Sequence, residues 1–354
     1  MSTFRVSTFN CENLFSRPRI FNEPPAKAKK LLAAVAALQK ELTKQPFDQV
    51  KIKQLKAELK GYATIHDIRG KHDSKNAGAD TWLGSVELVR ARIGDKAIVH
   101  TAQVIHEVDA DIFCLIEIEN RITLQEFHDK VLLIECPGQR AYPHVLLIDG
   151  NDERGIDVAL FSRFPVLALR THLHEQSTYN SKKVLTFSRD CLEADIELPS
   201  GEILTVMLNH LKSMGYSPAN DPRSIKRRRG QAKRVAELVD ERNAKKNLVI
   251  VCGDLNTPPT DAKNTSLAPL LKHAHLENVN ERLPTGERGT YKAKRDNTQL
   301  DYLLVSDPLG KRLVDVGIER RGCYTKTMWS MFDTLTDPSA AASDHCAVWA
   351  DFTV

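Results

Sequence analysis

A series of strand-length apolar runs, each stopping on polar or charged side chains, constrains this chain more than any other feature. The runs Phe4 to Asn10, Asp111 to Asn120, Ile156 to Arg163, Ile203 to Lys212, Leu248 to Asn256 and Leu300 to Ser306 are rich in β-branched, aromatic and aliphatic residues. Such a run buries its body and releases its end to solvent, so several strands bring polar side chains to one edge. Helical spacing lies between some of them, at Val86 to Val108 and Gln231 to Ala244, whereas Val184 to Leu211 reads as paired strands without a helix. The mixture predicts an α+β fold with packed sheets.

Length leaves the domain count open, because 354 residues suffice for one large domain or two ordinary ones. Fifty basic against 46 acidic residues give a formal charge of +4, too balanced to mark a nucleic-acid binder, so any polyanion site must be local. The seven cysteines form no CxxC pair and mostly sit inside apolar runs, which predicts buried reduced thiols. No basic-then-apolar leader opens the chain, and the longest apolar run, Leu31 to Leu38, is far short of a membrane span. A soluble, cytoplasmic monomer with no membrane contact is the expectation.

Residues 22–80 differ from the rest. Leu31, Leu32, Val35, Leu38 and Leu42 follow helical spacing, Pro46 interrupts it, and Ile52, Leu55 and Leu59 resume it among lysines. This predicts an inserted helical hairpin, followed by a polar loop from Gly70 to Asp80. Its lysine face is either a solvated decoration or a clamp for substrate or partner.

The chemistry gathers at the run ends. Asn10 and Glu12 are two apart and share one side of a regular strand, where a carboxylate and an amide can hold a hard cation. Glu117 falls late in an otherwise buried run, a costly place for a carboxylate without a partner or a metal. In Cys252-Gly-Asp254-Leu-Asn256-Thr-Pro an apolar strand stops and two polar side chains project before the prolines end regular structure, which suits a base and its orienting amide. His345, after Asp344, stands at the mouth of an apolar run, where a carboxylate such as Asp301 can hold it as a cation facing a phosphate. His210 ends another run beside Lys212, a residue suited to phosphate. Each has an ordinary structural reading when taken alone.

Taken in chain order, FNCEN, DIFCLIE, NHLKS, CGDLN, LDYLLVS and SDH resemble the endonuclease/exonuclease/phosphatase superfamily. The resemblance implies a four-layered α/β sandwich, two packed mixed β-sheets flanked by helices, forming one catalytic domain with residues 22–80 as an insertion. It implies that Glu12, Glu117 and Asp344 bind Mg2+, with Mn2+ a plausible substitute, and that Asn10 lies beside them. It further implies Asp254 as the base for the attacking water, Asn256 as its orienting group, Asp301 as the partner of a cationic His345, and His210 as a further catalytic histidine.

Two blocks, Ile116 to Asn120 and Arg154-Gly-Ile-Asp157-Val-Ala-Leu, are similar to the bacterial nuclease branch and make Arg154 and Asp157 candidate substrate contacts with Lys212. The basic run from Arg223 to Arg234 adds Arg227, Arg228 and Arg229 as candidates for phosphates along a backbone. Trp82, Tyr142 or Tyr216 could stack bases if exposed. The leading expectation is a nuclease acting on DNA rather than RNA. A phosphatase or phosphodiesterase for a phospholipid headgroup or small phosphoester is the alternative, and a silent binding module that kept the fold is the third reading.

Overall fold

The alternation of the apolar runs becomes two six-stranded mixed sheets. The computed structural model describes residues 2–14, 18–67, 84–90, 96–215, 217–259, 265–293 and 296–354. The sheet strands, in chain order, are β1 (Thr3–Leu14), β2 (Ile112–Ile118), β3 (His144–Leu147), β4 (Asp157–Ser162), β5 (Val166–Arg170) and β6 (Cys191–Glu197). They continue with β7 (Ile203–His210), β8 (Leu248–Asp254), β9 (Leu276–Asn278), β10 (Asp301–Ser306), β11 (Leu313–Glu319) and β12 (Ala347–Thr353). The first sheet runs β11-β12-β1-β2-β4-β3 and the second β9-β10-β8-β7-β6-β5. In each sheet one central pair is parallel, β1 with β2 and β7 with β8, and the rest are antiparallel.

Because strand side chains alternate faces, every second residue enters the space between the sheets. Phe4 and Val6, Ile112, Cys114 and Ile116, and Val348, Ala350 and Phe352 come from the first sheet. Leu204, Val206 and Leu208, Leu248, Ile250 and Cys252, and Leu303 and Val305 meet them from the second. Each fully buried Val, Leu, Ile or Phe among them contributes about 1.5–3 kcal/mol relative to exposure. The other face of the second sheet, through Met207, Val249, Val251, Tyr302 and Leu304, packs on Ala232, Val235, Leu238 and Val239 of the helix Ile225–Glu241. The helix Lys96–Val108 packs on β1, β11 and β12 from the outer side of the first sheet. Helix, sheet, sheet and helix make the four-layered α/β sandwich. All seven cysteines are buried and free. Among the described residues no helix is long and apolar enough to cross a membrane.

Residues 1–15 with 94–354 form one compact unit, and residues 16–93 form a second. The second has its own core, in which Leu31, Val35, Leu38 and Leu42 of the helix Pro25–Thr43 meet Ile52 and Leu59. The helix Gln49–Glu58 starts at Asp48, whose side chain accepts from the backbone N–H groups of Val50 and Lys51 at 2.9 and 3.1 Å. The strands Ala63–Asp67 and Gly84–Leu88 add an antiparallel ribbon, so the unit extends past 22–80 at both ends. The loop expected from Gly70 to Asp80 lies outside the described residues.

That ribbon corrects the helix expected over Val86 to Val108. Val86 is buried while Ser85 and Glu87 are exposed, a period of two, and the described helix of this stretch is Lys96–Val108. At the other end, the helix expected from Gln231 begins at Ile225 and takes in most of the basic run.

Candidate active site

At one edge the rows that face the other sheet turn polar. Asn10 prolongs the row of Phe4 and Val6, and His210 that of Leu204, Val206 and Leu208. Asp254 prolongs the row of Ile250 and Cys252, and Asp301 that of Leu303 and Val305. The strand register pairs His210 with Asp254 and Asp254 with Asp301, so these three side chains stand side by side on β7, β8 and β10. Gly253 makes this possible: its φ is +123°, and a Cβ there would lie 1.9 Å from the Asn209 carbonyl oxygen. All four polar residues are at most 3% exposed, so each needs partners.

Asp254 has them. Oδ1 accepts the Asn256 backbone N–H at 2.8 Å, and Oδ2 accepts the side-chain amides of Asn256 at 3.0 Å and Asn10 at 3.2 Å. Asn256 reaches back because its φ is 56°, and it also donates to the Leu211 carbonyl at 3.1 Å. Burial pushes the Asp254 carboxyl up to about 7, against the pull of His345. A carboxylate held in one orientation yet reluctant to stay charged is suited to taking a proton.

His345 Nδ1 lies 2.8 Å from Asp301 Oδ2, and Nε2 lies 4.0 Å from Asp254 Oδ2. Burial opposes the imidazolium, yet Asp301, Asp254 and Asp344 outweigh it and hold the ring's pKa up at about 10. Thr290 Oγ1 donates to the same Asp301 oxygen at 2.7 Å, and Tyr291 lies against the His345 ring with centroids 4.8 Å apart. His210 is the opposite case: burial first, then the nearby Arg189 and His345 charges, drive its pKa well below the usual imidazole value. Its Nε2 lies 3.6 Å from Asp254 Oδ2 and 3.9 Å from Glu117 Oε1.

Asn10, Glu12, Glu117, Arg154, His210, Asp254, Asn256, Asp344 and His345 line one cleft of about 380 Å³, with Asp301 behind His345. Glu12 and Glu117 stand at positive φ, 45° and 66°, and Glu12 Oε2 accepts the Asp344 backbone N–H at 3.0 Å. Burial raises the carboxyls of Glu12, Glu117 and Asp344, and neighbouring carboxylates raise them further. Crowded carboxylates of this kind fit a hard divalent cation. Among the described residues no three His, Cys, Asp or Glu side chains converge as a ready cage. Carboxylate and amide oxygens are donors of the kind that hard divalent cations take.

Other expected contacts fall elsewhere. Arg228 is 0% exposed and donates to Thr257 Oγ1 and the Lys212 carbonyl, both at 2.5 Å, and to Ser266 Oγ and the Arg223 carbonyl, both at 3.1 Å. This corrects its reading as a phosphate contact, because the helix turns it toward the sheet. Arg229 is exposed beside Thr265, and Arg227 lines a shallow recess that adjoins the cleft through Arg154. Lys212 is half-buried beside the cleft, its backbone N–H bonded to Gln231 Oε1 at 2.8 Å. Tyr142 is 2% exposed, its hydroxyl on the Ala110 carbonyl, so it offers no stacking face; Trp82 and Tyr216 lie outside the described residues.

Sequence reasoning missed Arg189, Thr290 and Tyr291. Arg189 is 2% exposed and lines the cleft, with Nε 2.9 Å from Asp152 Oδ2. That contact is short but poorly aligned, an ion pair rather than a hydrogen bond. Arg154 holds the same carboxylate at 2.9 Å, so one aspartate sits between two cleft arginines. A charged pair just before an apolar strand, Arg189-Asp190, was the available signal.

Asp157 does not line the cleft; it is 3% exposed and accepts the Gly150 N–H at 2.8 Å. Burial pushes its carboxyl up to about 6. The folded state then holds this proton more tightly than the unfolded chain, so stability falls as pH rises from about 4 to 6, and the loss is complete above that window. Asp157→Asn keeps an acceptor for Gly150. It is expected to match the native chain near pH 4 and to exceed it by about 1–2 kcal/mol near pH 8 in urea unfolding. A difference that does not change with pH would remove the carboxyl from this role.

The sequence matches the endonuclease/exonuclease/phosphatase family over residues 90–345. No protein of curated function matches it. Among solved structures, an endonuclease/exonuclease/phosphatase from Beutenbergia cavernae superposes with a TM-score of 0.56 at 14% identity, covering 100% of this chain and 72% of that one. A family protein from Bacteroides thetaiotaomicron gives 0.53 at 14% identity, covering 100% and 96%. One from Bacteroides vulgatus gives 0.52 at 14% identity, covering 100% of both chains. At these identities the likeness is one of fold. Together with the matched sequence, it places this chain in the endonuclease/exonuclease/phosphatase family, whose members hydrolyse phosphoester bonds.

Proposed function

We propose that this chain is a Mg2+-dependent phosphodiesterase that cleaves DNA. One observation carries the reading: a buried, amide-clamped carboxylate, Asp254, lies 4.0 Å from an imidazole that Asp301 holds as a cation. In-line attack on a phosphodiester needs a base on one side and positive charge at the phosphoryl oxygens. Asp254 takes the proton of the attacking water, and Asn10 and Asn256 keep its oxygens aimed. His345 offers its Nε2–H to a phosphoryl oxygen while Asp301 retains the bond to Nδ1. His210, neutral, turns Nε2 toward the same space. Glu12 and Glu117, with Asn10 and Asp344 beside them, would hold Mg2+, which supplies Lewis-acid stabilisation of the charge developing on the ester oxygens.

A polymeric substrate is favoured by the cations outside the reacting centre. Arg154 and Arg189 line the cleft and Arg227 the adjoining recess, a spread of charge suited to more than one phosphate. Pure protein incubated with labelled DNA, RNA and small phosphoesters tests the reading. DNA cleavage is expected with Mg2+, its loss in EDTA, and its return with Mn2+. Absence of metal-dependent cleavage of any nucleic acid would defeat the proposal, and faster turnover of a phospholipid headgroup or small phosphoester would favour that substrate class instead.

A further inference from the structure

We propose that the unit of residues 16–93 is a docking module for a nucleic-acid backbone, an inference that rests on the nucleic-acid reading of the cleft. Residues 16–93 hold sixteen Lys and Arg against eight Asp and Glu, a formal +8, whereas the other residues of this +4 chain sum to −4. The positive charge of the protein is therefore concentrated in the unit that lacks the cleft.

The first helix presents that charge along one stripe. Leu31, Val35, Leu38 and Leu42 face the unit's core, and the opposite stripe of the helix Pro25–Thr43 carries Ala26, Lys29, Lys30, Ala33, Ala36 and Lys40, all exposed. The second helix, Gln49–Glu58, adds exposed Lys51 and Lys53, with Lys60 just beyond it. The acids of these helices are already engaged. Glu41 is 2% exposed and pairs with Lys44 and Lys51, Glu58 pairs with Lys30, and Glu23, just ahead of the first helix, pairs with Lys27. Lys29, Lys40, Lys53 and Lys60 have no ion pair among the described residues. A face serving solubility alone would interleave both signs. Lysines separated by alanines let a phosphate backbone approach closely, and binding of this kind is independent of base sequence and driven by counterion release.

The test is a full-length K29Q/K40Q/K53Q/K60Q variant, in which glutamine keeps helix propensity close to that of lysine. Anisotropy of a labelled random-sequence duplex in EDTA reads binding without turnover. Affinity is expected to fall roughly tenfold or more near 0.1 M salt, and the slope of log K against log salt to shrink by about 0.9 for each lysine engaged. Turnover of bis-p-nitrophenyl phosphate with Mg2+ is expected to stay unchanged. Unaltered affinity and slope would overturn the proposal, as would loss of binding to phosphatidylserine vesicles with duplex binding intact. A variant that loses circular dichroism signal and small-ester turnover together would overturn it in favour of a structural role. Weaker duplex binding in a protein that cleaves no nucleic acid would uphold the docking module and defeat the nuclease reading alone.

Discussion

Asp254→Asn is expected to lower kcat by about 10²- to 10⁴-fold, the range of a positioned general base. KM should change little, because the carboxylate acts on the water rather than holding the substrate. The same substitution is expected to shift stability of the metal-free protein in the variant's favour as pH rises from about 4 to 8. The raised Asp254 carboxyl means that its surroundings disfavour the charge, so the ionisation penalty grows as pH rises toward about 7. The amide escapes this pH-dependent penalty, while its NH2 faces one of the N–H donors that the carboxylate accepts, a cost that does not change with pH. Thermal unfolding in EDTA and steady-state kinetics with Mg2+ check the two halves. A variant that keeps full turnover would assign the base elsewhere and reopen the reading of a silent binding module. A gain in stability beside a loss of rate would mark strain kept for function.

Arg228→Met is expected to cost about 3–5 kcal/mol, because it leaves buried hydroxyls and carbonyls without their donor. Those acceptors matter by position. The Lys212 carbonyl follows His210 at the end of β7, and Thr257 follows Asn256 beyond β8, so one guanidinium ties both strand ends to the helix. Denaturant unfolding should register the loss, with Arg229→Ala, an exposed neighbour, within about 0.5 kcal/mol of the native chain. Equal effects of the two substitutions would refute the tie.

What could be read from the sequence was local. Alternation in Phe4 to Asn10 and Leu248 to Asn256 is a property of neighbours, and it placed both strands and the polar residues at their ends. Register is not local: nothing in the spacing of His210, Asp254 and Asp301 says that they stand in one row, since that depends on three strands meeting. The burial of Arg228 was readable in part. It lies four and seven residues before Ala232 and Val235, on the face that the helix buries, but the run of like charges drew attention to solvent instead. The strand Gly84–Leu88 was lost because a short apolar pattern fits either period until a partner strand chooses.

The row formed by His210, Asp254 and Asp301 ties catalysis to assembly. Sliding β8 by one residue against its neighbours would carry Asp254 to the helix side and bring Val249 and Val251 inward, spoiling the apolar layer and the cleft together. Turnover thus works as a proofreading signal for strand alignment: any collection of variants sorted for activity is sorted, in the same step, for correctly threaded sheets.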